Sequence, residues 1–151
     1  MAISDDEYQK KSNAIKKQIE KAEEDFKNIR IDLEHQYDEE LAIGNKILEE
    51  HHDEYSKFRT MGQQLVEIVD NIEANPKGDI ENYPYTASDA HEEYQARDKE
   101  FQDREKAIIA AIDEYKRDYQ AAEDEVQADL QSKTSDLETQ LEELEEERNK
   151  E

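Results

Sequence analysis

The residues best suited to chemistry in this 151-residue chain are four histidines set among 43 acids. Glu49-x-x-His52 has the spacing with which helical bundles hold a carboxylate-bridged metal pair, and Asp32-x-x-His35 is a looser form of it. Such a site draws further inward carboxylates from facing helices at the same height. The two motifs lie on one stretch with their histidines about 25 Å apart along a helix of about 1.5 Å rise per residue, too far to share an ion within one chain. His35, His51, His52 and His91 are therefore read as surface or seam residues, with no metal site expected. The chain has no Cys, which removes thiolate nucleophiles, disulfides and Cys-ligated zinc or iron–sulfur centres. It has no Gly-rich phosphate loop and no Ser placed near a His in a strand–turn–helix setting. Acids alone do not catalyse: an acid–base pair needs one carboxyl in an apolar pocket, and two paired helices offer none. No enzyme and no cofactor are expected.

The elements that carry these residues are legible in the spacing of the apolar ones. From Ile15 through Ile19, Ala22, Phe26, Ile29, Leu33, Tyr37 and Leu41 to Gly44, Leu48, His51, Tyr55, Phe58, Gly62, Leu65, Val69 and Ile72, most steps alternate between four and three. That is a coiled-coil seam, a narrow stripe that a partner helix must cover. Ser4 and Glu7 form a capping-box pair, and Asp5, Asp6 and Glu7 suit the positive end of a helix dipole. The first helix is expected over about 4–73, about 100 Å if continuous. Three successive four-residue steps from Ile29 to Leu41 make a stutter that unwinds the supercoil locally. Gly44 costs about 1 kcal/mol against Ala; it marks a bend, a close contact or simply a tolerated helix glycine, and the last reading is preferred. Asn75-Pro76-Lys77-Gly78-Asp79 is a turn sequence and Tyr83-Pro84-Tyr85 an extended one, so a loop is expected over about 75–87. Ser88 is the expected cap of a second helix over about 88–148, with a seam at Tyr94, Phe101, Ile108, Ile112, Tyr115, Tyr119, Ala122, Val126, Leu130, Leu137, Leu141 and Leu144.

The fold class is thus all-α: a long antiparallel two-helix coiled-coil hairpin, a single unit over 1–151, completed by oligomerisation or by a helical partner. Folding back near residue 80 brings the stutter of the first helix level with an irregular stretch of the second. Charge agrees with that orientation, since residues 1–30 carry seven basic and seven acidic residues, whereas 134–151 carry two basic and eight acidic. The glutamates after Leu144 oppose the helix dipole, so the last turns are expected to fray.

Composition narrows the function. The chain is 42% charged, 34% hydrophobic and carries a formal net charge of −23, too polar for a globular core of usual thickness. A surface this negative repels nucleic acid and anionic lipid, so no direct nucleic-acid or membrane partner is expected; it attracts basic proteins instead. No apolar run approaches a membrane span, and the N-terminus lacks a signal-peptide pattern. A cytoplasmic protein is expected, and export by a route without a cleaved signal is compatible with that. Ordering so many residues for a half-covered seam is costly, at about 1–2 kcal/mol of backbone entropy each. The hairpin should therefore settle into a dimer or a hetero-complex. The expected contact residues are Ile108, Ile109 and Ile112, the widest apolar patch, then Leu65, Val66, Ile68 and Val69 on the facing helix, and the loop tyrosines Tyr83 and Tyr85.

Tyr85…Asp89, Tyr94…Asp98 and Tyr119…Glu123 have the Tyr-x-x-x-Asp/Glu spacing. With the hairpin layout and no signal peptide, the chain resembles the small partner proteins of type VII secretion in Gram-positive bacteria, although that family's Trp-x-Gly turn is absent. The resemblance implies a hairpin that packs on a helical toxin domain or a sibling hairpin and helps present it for export. The leading expectation is a non-enzymatic coiled-coil adaptor or chaperone-like partner of another helical protein. Two alternatives stand beside it: an acidic, phage-type mimic of nucleic acid that occupies the basic groove of a nucleic-acid-binding protein, and a structural spacer or scaffold homodimer.

Overall fold

A computed structural model describes residues 3–74 and 86–150. The protein is all-α: helix α1 spans Asp5–Ala74 and helix α2 spans Ala87–Asn149, and the two pack against each other as a hairpin. Most of the expected loop, with Tyr83 and Tyr85, lies outside the described residues. The chain divides into two compact units, Met1–Glu39 with Lys116–Glu151, and Glu40–Tyr115.

Both helix starts are fixed by side-chain caps. Ser4 Oγ accepts a hydrogen bond from the Glu7 amide at 3.2 Å, satisfying one of the orphan donors of the first turn of α1. The cap of α2 is Thr86 rather than Ser88. Thr86 Oγ1 accepts from the Asp89 amide, and Asp89 Oδ2 accepts from the Thr86 amide, both at 3.2 Å, a reciprocal capping box. Ser88 is already inside the helix, and Asp89 at the third helical position decides which hydroxyl is used. Glu73 Oε1 takes a further orphan donor, the Ala87 amide, at 2.7 Å. Thr86→Ala is expected to cost about 1 kcal/mol and Ser88→Ala a few tenths at most; faster amide exchange in the first turn of α2 for the former alone would register the difference.

In the first unit α1 and α2 run antiparallel, with Arg30 against Glu123 at 3.3 Å and the rings of Tyr37 and Tyr119 stacked at 4.0 Å between centroids. Ile29, where the stutter of α1 begins, lines a groove with Val126 and Leu130, the first extra four-residue step of α2. The seam also begins earlier than Ile15, since Ser12 is buried and Tyr8 half-buried. Leu144 of α2 is buried, and the helix continues past it. It runs on to Asn149, with the Arg148 guanidinium 4.4 Å over the Tyr8 ring and 3.6 Å from Asp5. That cation sits where the C-terminal dipole favours one. Among the described residues, none of the lysines between Lys10 and Lys27 makes an ion pair with the glutamates of α2.

Tyr119 titrates above its ordinary range, first because it is desolvated and then because Glu123, Glu34 and Asp38 oppose a phenolate, against a smaller opposite effect of Arg30. The folded state therefore holds this proton more tightly than the unfolded one. Its contribution is intact below the unfolded value of about 10 and is lost as pH rises through the folded value. Tyr119→Phe is expected to flatten the fall in melting temperature above about pH 10 while changing little at neutral pH. Equally steep alkaline limbs for the two proteins would contradict this.

Candidate functional site

Within the second unit the two sides of the helix pair differ in kind. The seam between them is aromatic. Phe101 stacks on Phe58 at 4.8 Å, meets Tyr55 edge-on at 5.3 Å and lies 5.7 Å from His51, while Phe58 stacks on Tyr94 at 5.3 Å. His51 is buried, and its Nε2 lies 3.0 Å from the carbonyl oxygen of Phe101, a contact in which the ring nitrogen is the donor. Two small residues allow this approach. A Cβ on Gly62 would fall 2.6 Å from the Tyr94 ring, and one on Gly44 would fall 3.2 Å from Ile112 Cγ1. Gly44 is thus a point of close helix contact, not simply a tolerated glycine.

One flank of the seam is polar. The Asp98 carboxylate accepts from Tyr55 Oη at 2.6 Å and from Gln102 Nε2 at 2.9 Å, and lies 3.4 Å from Arg59 Nε. His52 pairs with Glu105 at 3.0 Å and His91 with Asp70 at 3.3 Å. Desolvation alone would lower the Arg59 guanidinium, but Tyr55 and Asp98 outweigh it and leave it raised. Asp98 and Glu105 were missing from the expected seam, which stepped by seven from Tyr94 to Phe101 to Ile108. They occupy the skipped layers, and a 4–3 count through those gaps is the signal that could have found them.

The other flank is apolar. Ile43, Ile47, Met61, Leu65, Ile68 and Ile72 are between 44% and 69% exposed. At about 100° per residue they fall within about 60° of one another on α1, roughly a quarter-turn from the seam. Ile43 and Ile47 line a groove with Ile108, Ala111 and Tyr115 of α2, and Leu65 lines another with Val66, Ala90 and Tyr94.

The structure redistributes the expected contact residues accordingly. Ile108 and Ile112 are half-buried in the seam and Val66 and Val69 likewise, so Val66 takes the seam place expected for Leu65. Leu65 and Ile68 are exposed on the apolar flank. Ile109, though 41% exposed, follows Glu105 by one turn and lies on the polar flank. The patch at Ile108–Ile112 and that at Leu65–Val69 are not brought together: the first faces Leu41–Ile47 and the second Ala90 and Tyr94. Exposed Ile43, Ile47 and Met61 were not expected as contacts, and Ile72, expected at the end of the seam, is exposed on the same flank.

The Tyr-x-x-x-acid pairs within the described helices have structural partners. Tyr94 stacks on Phe58, Asp98 binds Tyr55, Tyr119 stacks on Tyr37 and Glu123 pairs with Arg30. Among the described residues no group of three His or acids gathers as a metal site, and no helix is long and apolar enough to cross a membrane. Against protein-family models, curated proteins and solved structures, the chain matches none.

Proposed function

We propose that this chain is a non-enzymatic interaction module, an adaptor or chaperone-like partner that packs a helix of another protein against its own pair. The observation that supports this reading is the second apolar stripe on α1. Among the described residues the seam buries only Tyr55, Ala90, Leu144, Ser12 and His51. A helix pair with so little enclosed surface gains most from a third helix, and an exposed apolar face on a small protein marks an interaction surface. The hairpin layout favours, as the specific setting, presentation of a helical cargo for type VII secretion.

The acidic-mimic reading draws on the net charge of −23 and separates cleanly from this one. A complex closed by apolar packing survives a rise from about 0.05 to 0.5 M salt, whereas charge mimicry weakens by orders of magnitude over that range. Tagged protein recovered from its native cells at both salt levels, with the bound species identified by mass spectrometry, is expected to retain a helical protein at high salt. Release of every bound species by salt, together with competition by duplex DNA, would favour the mimic. Recovery of the chain with itself alone would favour the spacer homodimer.

A further inference from the structure

The stripe on α1 is interrupted once. Between Ile47 and Met61 the same arc of the helix carries Glu50 and Glu54, both exposed and neither with an ion-pair partner among the described residues. Resting on the reading above, we propose that α1 from Ile43 to Ile72 docks one amphipathic helix of about 30 residues, apolar toward both ends of the stripe. That helix carries lysine or arginine where it meets Glu50 and Glu54. Charge complementarity selects this occupant over a second copy. Residues 40–115 hold nineteen acidic and eight basic residues, so two copies brought together repel. An antiparallel copy that sets Ile43 on Ile72 would also set Glu50 against Leu65 and Glu54 against Met61, leaving four carboxylates facing apolar side chains. A carboxylate in that position needs an opposite charge, and a helix that lacks it is rejected. The apolar ends supply the affinity and the two glutamates supply register and choice of partner.

The test uses the full-length protein and labelled synthetic helices of about 30 residues. One has apolar residues at 4–3 spacing and lysines at the two positions facing Glu50 and Glu54. A second has glutamates at those two positions, and a third is a scramble of the first. Fluorescence anisotropy is expected to show the lysine-centred helix binding at least tenfold tighter than the scramble. Leu65→Glu with Ile68→Glu should remove that binding, while Ile109→Glu on the polar flank leaves it unchanged. Glu50→Lys with Glu54→Lys should shift preference at least tenfold toward the glutamate-centred helix. All these positions are exposed, and unchanged helical circular dichroism checks that the variants fold. Equal binding of the scramble, or binding indifferent to the stripe variants, would overturn the proposal in favour of general acidity. A dimer in sedimentation that Leu65→Glu with Ile68→Glu dissolves would overturn it in favour of a second copy. A native helical partner that the stripe variant still holds at high salt would sink this placement and leave the broader reading intact.

Discussion

Phe101→Ala is expected to lower stability by about 2–3 kcal/mol, at or just below the low end of the range for removing a core aromatic, because the ring is half rather than fully enclosed. Phe101 is the hub of the second unit: it touches His51, Tyr55 and Phe58 in three different ring geometries, and the Arg104 guanidinium lies 5.5 Å over it. Aromatic pairs add about 0.5–1.5 kcal/mol each beyond the area they bury, so deleting the shared ring costs more than its exposure suggests. The contact of His51 is to the Phe101 backbone oxygen and survives the substitution, which makes the loss one of packing. For a chain of this size the melting temperature should fall by about 5–12 °C. Phe101→Leu, which keeps an apolar side chain in the gap, should cost less than half as much. Ile109→Ala, on the polar flank, should stay within about 0.5 kcal/mol of the parent. Thermal melts followed by circular dichroism decide this, and a Phe101→Ala melt within two or three degrees of the parent would show that the ring cluster does not anchor the pair.

The two glycines give a contrast in sign. Alanine in place of glycine inside a helix ordinarily gains about 1 kcal/mol. At Gly62 the new methyl would sit 2.6 Å from two atoms of the Tyr94 ring, itself held against Phe58. A rigid stacked ring cannot step aside without moving a helix, and overpacking of this kind costs about 1–3 kcal/mol. Gly62→Ala should therefore be net destabilising, by up to about 2 kcal/mol. At Gly44 the nearest atom is Ile112 Cγ1 at 3.2 Å, on a flexible side chain that can give a few tenths of an ångström. There the propensity gain offsets the crowding, and Gly44→Ala should be close to neutral. In a Tyr94→Ala background, Gly62→Ala should turn stabilising by about 1 kcal/mol, since only the helix preference remains. A double-mutant cycle measures that coupling directly. A Gly62→Ala protein more stable than its parent would mean that the helices do not approach closely at this point.

Much of the fold was determined locally and could be read from the chain. The 4–3 spacing fixes two long helices, and the acids after Ser4 fix where the first begins. These features depend on neighbours within one or two turns, which a linear pattern records. Register is another matter. That Tyr94 meets Gly62, that Asp98 and Glu105 fill skipped layers, and that Thr86 rather than Ser88 caps α2 all depend on contacts between residues far apart in sequence or on which of two nearby hydroxyls finds a reciprocal partner. The apolar flank shows the limit most clearly. Leu65 and Val66, or Ile68 and Val69, sit one residue apart, and either member of each pair continues a 4–3 count. The sequence states that α1 has apolar residues enough for more than one stripe. Only the position of α2 decides which stripe is covered, because covering one face of a helix leaves the face a quarter-turn away open to water.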